Sequence, residues 1–234
     1  MLFSIITVAL NAENLILDTL NSVLGQTYKD FEIIVKDGES KDKTLEKIPK
    51  DDRIKVVCKK DKGIYDAMNQ AIYEAKGKYL IFMNCGDKFY SNDILSYVAK
   101  ELEGVNADII YGNRYSKSCG EYKYPSKPSK RFFYSGTICH QASFISKDLF
   151  EKIGCYDDTL KIASDWKFFL DAKINGAKFY HCDKIFCEFL DGGVSETKEG
   201  ETLSNIERKA VIKDRYNIFE RVVFNAIKKI RNLI

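Results

Sequence analysis

Four short segments of this sequence place an aspartate among glycine, serine or asparagine, residue types that form polar turns and bind ligands. They are residues 37–40 (Asp-Gly-Glu-Ser), 61–63 (Asp-Lys-Gly), 84–87 (Asn-Cys-Gly-Asp) and 163–166 (Ala-Ser-Asp-Trp). Each follows a predicted strand or opens a predicted helix. Taken singly, such a turn has a structural explanation, because glycine accepts positive φ and aspartate bonds its own backbone. Together, they predict a polar site at one edge of a sheet.

The elements that must position these turns follow from hydrophobic periodicity. Strands are predicted at 3–9, 31–36, 54–58, 79–83, 108–115, 142–145, 178–182 and 185–190. Helices are predicted at 15–24, 42–48, 64–75, 92–103, 147–153, 165–175, 201–216 and 218–234. This alternation favours an α/β fold with a central, mostly parallel sheet flanked by helices. Ligands of such sheets bind beyond the carboxyl ends of the strands, which is where Asp87 falls.

Composition excludes several classes of protein. A net charge of +3, from 37 basic and 34 acidic residues, does not indicate a nucleic acid partner. The seven cysteines include no CxxC pair, and with two histidines they form no zinc-site spacing, so we expect free thiols in the cytoplasm. No signal peptide and no membrane-spanning apolar stretch is predicted. Neither GxGxxG after the first strand nor GxxxxGK[ST] occurs, which disfavours Rossmann-type dinucleotide binding and P-loop chemistry.

From about Phe3 to Ser195 the sequence resembles glycosyltransferase family 2, the inverting transferases of the GT-A fold. The similar motifs occur in the family's order, at residues 4–12, 22–28, 31–35, 37–40, 61–69, 84–87 and 164–166. The segment 61–69, Asp-Lys-Gly-Ile-Tyr-Asp-Ala-Met-Asn, looks like that of a subgroup common among bacterial surface-polysaccharide enzymes. The resemblance implies a GT-A domain over 1–200, with a nucleotide-binding half (1–115) and an acceptor-binding half (116–200). Residues 201–234 are then a C-terminal helical extension.

The resemblance also implies roles for single residues. The end of the first strand contacts the donor nucleotide, Asp37 reads its base, and His140 with Gln141 faces the acceptor. The residues implied to bind donor or acceptor are Thr7, Ala9, Asn11, Asp37, Asp61, Gly63, Asp66, Asn69, Asn84, Gly86, His140 and Trp166. Core packing is the alternative for Trp166, the single tryptophan.

Asp87 occupies the place of the family's metal-binding Asp-x-Asp-type motif. Transfer from a nucleotide sugar leaves a diphosphate, whose charge a divalent cation such as Mn²⁺ or Mg²⁺ offsets. Cys85 and Gly86 depart from the family pattern, because many relatives carry another carboxylate there. A helix cap ahead of Ser91 and Asn92 is the structural alternative for Asp87.

Asp165 matches the acidic pair that holds the family's catalytic base. A carboxylate suffices to accept the proton of an attacking hydroxyl when its pocket tunes its pKa. Ser164 stands where the second acid is frequent, so Asp165 has no obvious substitute. An N-cap for the following helix is its structural alternative, and both roles are compatible.

The last predicted helix is amphipathic and basic. Apolar residues fall on one face (Ile218, Phe219, Val222, Val223, Ile227, Ile230 and Leu233), with Arg221, Lys228, Lys229 and Arg231 around it. This pattern suits contact with an anionic membrane surface. Packing on the domain or on a second subunit explains it equally well, and both interpretations are kept here.

These observations predict a metal-dependent hexosyltransferase that moves a sugar from a nucleotide donor, with UDP favoured, to a glycan acceptor. The subgroup resemblance implies a polyprenyl-diphosphate-linked acceptor in capsule, O-antigen or exopolysaccharide synthesis, at the inner face of the cytoplasmic membrane. A non-catalytic GT-A-like subunit of a membrane assembly is one alternative, disfavoured by the retained Asp37, Asp87 and Asp165. A nucleotidyltransferase is another, disfavoured because Leu10–Glu13 is neither basic nor glycine-rich.

Overall fold

A computed structural model describes the backbone of residues 1–231 and the side chains of residues 1–227. The strands are β1 Phe3–Ala9, β2 Phe31–Asp37, β3 Ile54–Cys58, β4 Tyr79–Phe82, β5 Lys88–Phe89, β6 Ile109–Ser116, β7 Gly120–Tyr122, β8 Ser143–Ser146 and β9 Phe179–Glu188. The helices are α1 Ile16–Leu24, α2 Ile64–Glu74, α3 Ile94–Gly104, α4 Lys130–Ser135, α5 Lys147–Ile153, α6 Ser164–Ile174, α7 Lys198–Arg215 and α8 Ile218–Arg231. The last three residues of the helix predicted at 218–234 lie outside the described residues.

The strands form one curled sheet in the order β3-β2-β1-β4-β8-β6-β9-β5, with β7 paired to β6. The first four strands are parallel to one another, as predicted. Beyond them the sheet is mixed, because β8 runs antiparallel to both β4 and β6, while β9 is parallel to β6. The parallel part therefore brings the carboxyl ends of β1, β2 and β4 to one edge.

Helices cover both faces of this sheet, which explains why its central strands read as continuous apolar runs. Every residue of β1, β2 and β4 is buried. Because successive side chains point to opposite faces, Ile5 joins a core cluster with residues of α1 and α3. Ile6 joins a second cluster on the other face, with residues of α2 and α6.

Several elements differ between the prediction and the structure. The helix predicted at 42–48 is a single 3-10 turn, Leu45–Lys47, because Asp42 bonds the Thr44 amide and hydroxyl locally. The two strands predicted at 178–182 and 185–190 form one strand, β9, whose pairing with β6 is irregular near Asn113. The proline-rich segment leads into α4, a helix that the sequence did not indicate and that Ser129 caps.

Helix α7, which contains the first part of the predicted extension, is anchored to the loop that precedes Asp165. Glu207 is 8% exposed, and its carboxylate accepts hydrogen bonds from the backbone amides of Lys161, Ile162 and Ala163 at 2.7, 3.0 and 2.9 Å. The Arg208 guanidinium lies 4.5 Å from the centre of the Trp166 ring. The extension thus supports the segment on which the predicted catalytic base lies.

Glu207→Ala is expected to lower the free energy of unfolding by about 2–3 kcal/mol, because it leaves one buried and two part-buried amides without their acceptor. Urea unfolding followed by circular dichroism measures this. The matched control is Glu103→Ala, which removes an exposed carboxylate from α3 and should change stability by less than about 0.5 kcal/mol. Equal stability of the two variants would contradict the anchoring role.

Among the described residues, no helix combines the length and the apolar character that a membrane crossing requires. Helix α8 instead has two different faces. One face packs on α4, where the Phe224 and Tyr134 rings are 5.3 Å apart and Lys130 bonds Glu220 at 2.9 Å. The other exposes Ile218, Phe219 and Val222, which are 72%, 76% and 63% accessible. Packing on the domain therefore accounts for only part of the amphipathic pattern.

Candidate active site

The loops after β1 and β2 are locked together at the sheet edge. Asp37, at the end of β2, is fully buried and accepts hydrogen bonds from the amide and hydroxyl of Ser40 at 2.9 and 2.5 Å. The backbone amide of Asn11 donates to Ser40 Oγ, and the side-chain Oδ1 of Asn11 accepts from the backbone amide of Lys41, each at 2.8 Å. Asn11 and Glu39 adopt left-handed φ values of 50° and 66°. These contacts bring predicted donor-binding residues Asn11 and Asp37 together.

A buried ion pair supports this edge from beneath. Lys36 is completely buried, and its ammonium donates to Asp61 Oδ2 at 2.9 Å and to the carbonyl oxygens of Asp37 and Lys59. A side chain at Gly38 would place its Cβ 2.8 Å from the same carboxylate oxygen. Asp61 is therefore beside the Asp37 turn, as predicted, but one of its oxygens is used to satisfy Lys36.

The segment 61–69 contributes to the site through a residue that the sequence prediction did not select. The Tyr65 hydroxyl lies 3.1 Å from Asp165 Oδ1 and 2.7 Å from the Ile162 carbonyl oxygen. By contrast, Asn69 uses its amide on both backbone groups of Tyr156, at 2.8 and 3.0 Å. These two hydrogen bonds connect α2 to the segment before α6, which indicates a structural role for Asn69.

The other residues predicted to bind donor or acceptor lie in varied settings. Asp66 accepts a hydrogen bond from the backbone amide of Lys62 at 2.8 Å. Gly63, the residue before α2, has a φ of 145°. Thr7 is buried on β1 with no hydrogen-bond partner for its hydroxyl in the described chain. Ala9 accepts the Gly38 amide through its carbonyl at 2.9 Å.

Trp166 lies in the core rather than at a pocket wall. It is 2% exposed, and its indole nitrogen donates to the Phe133 carbonyl at 2.8 Å. Of the two interpretations of Trp166, the structure favours core packing, because no face of the ring is open to a sugar. Its neighbour Asp165 faces the site instead.

Asp87 follows β4 and is held rigidly. Its Oδ2 accepts from the Gln141 amide at 2.8 Å and its Oδ1 from the Leu190 backbone amide at 2.9 Å. Gly86 permits this approach, since its φ is 102° and a Cβ there would overlap Leu190. Burial raises the pKa of the Asp87 carboxyl, and the hydrogen bonds from Leu190 and Gln141 only partly offset it.

These contacts fit a metal site built on a single carboxylate. Asp87 is 4% exposed and bonded only to neutral donors, so an incoming cation would compensate its buried charge. Second partners that orient a carboxylate are typical of metal ligands. In the described chain, no three His, Cys, Asp or Glu side chains are grouped to hold an ion. A cation such as Mg²⁺, which uses one or two carboxylates together with substrate phosphates, suits this arrangement.

A second polar centre is formed by Asp165, His140 and Asn84. Asp165 Oδ2 lies 3.0 Å from His140 Nδ1, and Asn84 Nδ2 lies 3.1 Å from His140 Nε2. The side chains of His140 and Asp165 are only 11% and 18% exposed. Because Asp165 accepts, Nδ1 of the imidazole carries a proton. Asn84 Oδ1 has no partner in the described chain and would accept from Nε2 if the amide turned and the imidazole were protonated.

The two groups shift each other's pKa in opposite directions. Burial alone would raise the pKa of Asp165, but hydrogen bonds from His140, the Trp166 amide and Tyr65 hold it below its usual value. Burial alone would lower the pKa of His140, but its hydrogen bond to Asp165 and the charge of that carboxylate raise it. The pair therefore favours an ionised Asp165 beside an imidazolium.

Residues 140 and 141 join the two centres. His140 bonds Asp165, and the next residue, Gln141, bonds Asp87. These two neighbours lie in a 3-10 turn between α4 and β8. The predicted metal ligand and the predicted base, 78 positions apart in the sequence, thus lie on either side of one short turn.

Arg114 is a further candidate site residue, near Asp87, that was not predicted from the sequence. Its guanidinium lies 5.5 Å from the Tyr122 ring and 5.1 Å from the Phe189 ring, and the residue after Phe189 bonds Asp87. No ion pair to Arg114 occurs in the described part of the chain. No sequence motif marks this position. Gly112, two residues before Arg114, packs against Phe186 and is not part of a binding turn.

The sequence model described as glycosyl transferase family 2 matches residues 4–154, more than half of the chain. The chain belongs to this family. A PGL/p-HBAD biosynthesis glycosyltransferase of Mycobacterium bovis is 34% identical over 173 residues, which cover 71% of this chain and 68% of the relative. An uncharacterized glycosyltransferase of Mycobacterium tuberculosis is 30% identical, over 95% of this chain and 88% of the relative.

Solved structures show the same fold. TarS 1–349 of S. aureus in complex with UDP-GlcNAc superposes with a TM-score of 0.71 at 20% identity, covering 91% of this chain and 66% of TarS 1–349. A mannosyltransferase of Pyrobaculum calidifontis, in complex with GDP-Man and Mn²⁺, gives 0.66 at 16% identity, over 84% of this chain and 58% of that one. The predicted GT-A fold is thereby confirmed, and the chain is a glycosyltransferase of family 2.

Proposed function

We propose that this glycosyltransferase moves a hexose from a nucleotide-diphosphate sugar, with UDP as the nucleotide, to a hydroxyl of a glycan acceptor with inversion. The observation that carries the proposal is the turn at residues 140–141, which joins Asp165 to Asp87. Metal-dependent inverting transfer needs a cation site at the leaving diphosphate and a base on the acceptor side. The contacts of this turn support assigning Asp87 to the first role and Asp165 to the second.

The roles of the chain's own residues follow from their settings. Asp37 and Asn11 form the edge on which the nucleotide base would lie. Asp87 would hold a divalent cation such as Mn²⁺ or Mg²⁺, which supplies positive charge to the diphosphate. Asp165 accepts the acceptor's proton on its Oδ1 or Oδ2, while Tyr65 and the Trp166 amide fix the carboxylate's orientation. His140 sets how basic that carboxylate is.

The division of the chain follows the same roles. We infer a nucleotide-binding half over residues 1–115, because Asn11, Asp37 and Asp87 lie there. We infer an acceptor-binding half over 116–200, which supplies His140 and Asp165. Residues 201–234 support the second half through Glu207 and Arg208.

We further propose a lipid-linked acceptor, a polyprenyl diphosphate that carries a growing surface polysaccharide. One observation supports this: α8 exposes Ile218, Phe219 and Val222 on its outer face. An exposed apolar face on a basic helix suits binding to the surface of an anionic membrane. The enzyme would then act at the inner face of the cytoplasmic membrane.

Calorimetric titration tests the proposed donor site. UDP and GDP are each added to the purified protein with and without Mn²⁺. Mn²⁺-dependent binding of UDP, tighter than that of GDP, is the expected result. Binding of neither nucleotide to a folded protein would favour the non-catalytic alternative, and preference for GDP would correct the nucleotide.

The pH dependence of transfer tests the role of His140. Protonated His140 holds the pKa of Asp165 low and weakens it as a base, so the rate is expected to rise several-fold as pH increases through the raised pKa of His140. His140→Gln keeps a side chain that can donate to Asp165 but cannot titrate. Its pH–rate profile should lack this rise, and an unchanged profile would show that His140 does not govern Asp165.

A further inference from the structure

A groove of about 730 Å³ lies between β7, the loop after it, α4 and α8. Its size is within the range of about 300–1,000 Å³ that is usual for small-molecule sites. Among the residues whose side chains are described, three cations line it, Lys123, Lys127 and Arg131, and no carboxylate does. The nucleotide edge, the Asp87 centre and the Asp165 centre all lie outside its lining.

Two of these cations are not neutralised by protein groups. The Lys123 ammonium forms ion pairs with the carboxylates of Asp183, at 3.4 Å, and Glu121, at 4.0 Å. For Lys127 and Arg131, the described part of the chain provides no ion-pair partner. Phosphate oxygens are ligands that lysine and arginine side chains bind through charge-assisted hydrogen bonds.

The lining of the groove combines cationic and apolar side chains. Lys127 and Arg131 lie toward the loop and the exposed side of α4. Phe224 and Ile227 of α8 form an apolar end, close to Tyr134. A ligand that fills the groove must therefore combine an anionic group with an apolar segment.

The groove shares a wall with the candidate active site. Tyr124, which lines it, accepts a hydrogen bond from the amide of Cys139, the residue before His140. Gly136, also in its lining, accepts from Arg208, whose guanidinium covers Trp166 next to Asp165. These two contacts link the lining of the groove to the segments that carry His140 and Asp165.

We propose that this groove binds the phosphate group of the acceptor and the first part of its apolar tail. Lys127 and Arg131 bind the phosphate oxygens, and Phe224 with Ile227 contacts the tail. This inference rests on the proposed transferase function, because it assigns the groove to the acceptor of that reaction. It adds the position of the site, the residues that bind and the amphiphilic, anionic class of ligand.

The probe for this site is geranyl diphosphate, titrated calorimetrically in EDTA so that the metal-dependent donor site does not bind it. The wild-type protein is expected to bind it, and UDP is expected not to compete. Lys127→Ala/Arg131→Ala should weaken binding by at least about tenfold, because two charge-assisted hydrogen bonds are lost. The matched control, Lys100→Ala/Lys152→Ala, removes two exposed lysines from α3 and α5 and should bind as the wild type does.

Two further ligands separate the sources of affinity. Inorganic diphosphate lacks the tail and geraniol lacks the phosphate, so each should bind at least about tenfold more weakly than geranyl diphosphate. Equal binding of inorganic diphosphate would show a site for free phosphate and overturn the amphiphilic assignment. Competition by UDP, absence of binding, or unchanged affinity in the groove variant would overturn the site itself. The UDP titration with Mn²⁺ is independent of these measurements, so failure of the donor proposal is recognised separately.

Discussion

Asp165→Asn is expected to lower the rate of transfer about a thousandfold, within the range of about 10²–10⁴ that general acid–base catalysis contributes. The substitution preserves the surroundings of the carboxylate. Asparagine Oδ1 still accepts from the Trp166 amide, which lies 2.8 Å from Asp165 Oδ1. Its amide nitrogen would face His140 Nδ1, so the imidazole proton moves to Nε2. What is lost is the group proposed to take the acceptor's proton.

Donor binding separates this effect from misfolding. UDP affinity in Mn²⁺ should be unchanged in Asp165→Asn, because Asp37 and Asp87 lie in the other half of the site. Asp158→Asn is the control, since it neutralises an exposed carboxylate on the loop before α6. Turnover of Asp165→Asn close to that of the wild type would show that another group is the base.

The sequence predicted the parts of this site that depend on local chemistry. Asp37 and Asp87 were placed at strand ends because apolar runs of strand length stop at turn-forming residues. Asp165 was placed at the start of a helix for the same reason, and the structure begins α6 one residue earlier, at Ser164. These features require only neighbouring residues.

Contacts between residues far apart in the sequence could not be predicted from local patterns. The bond from Tyr65 to Asp165 spans 100 positions, and the anchoring of residues 161–163 by Glu207 spans 44–46. Both depend on how the second half of the chain crosses the sheet, which periodicity does not specify. His140 was predicted to face the acceptor, yet nothing local indicates that its neighbour Gln141 reaches Asp87.

Tertiary context also overrode local patterns in β9. Asp183 and Lys184 interrupt its apolar run, which led to a prediction of two strands. The structure keeps one strand because Asp183 bonds Asn113 on β6 at 3.0 Å and Lys184 bonds Asp93 at 2.6 Å. Polar residues in the middle of a strand are tolerated when the neighbouring elements supply partners.

Asp87→Asn is expected to abolish the effect of Mn²⁺ on UDP binding. Loss of a residue that only supports a metal ligand lowers metal affinity about ten- to a hundredfold, so loss of the ligand's charge should cost at least about a hundredfold. UDP affinity in Mn²⁺ should fall to the value that the wild type shows in EDTA. Calorimetric titration measures both.

The stability of the same variant distinguishes a metal ligand from a residue that only supports the fold. Asp87 caps no helix, since Asp93 is the N-cap residue of α3. Because the folded-state pKa of Asp87 is raised, mainly by burial, its ionisation opposes folding once the pH exceeds the carboxyl's unfolded-state value. The asparagine cannot ionise and can still accept from the Leu190 amide. At neutral pH the metal-free Asp87→Asn protein should therefore be at least as stable to urea as the wild type. A carboxylate kept at a cost to the apo fold is expected where function requires the charge. If the variant were instead less stable and still bound UDP in an Mn²⁺-dependent way, Asp87 would only support the fold through Gln141 and Leu190, and the cation site would lie elsewhere.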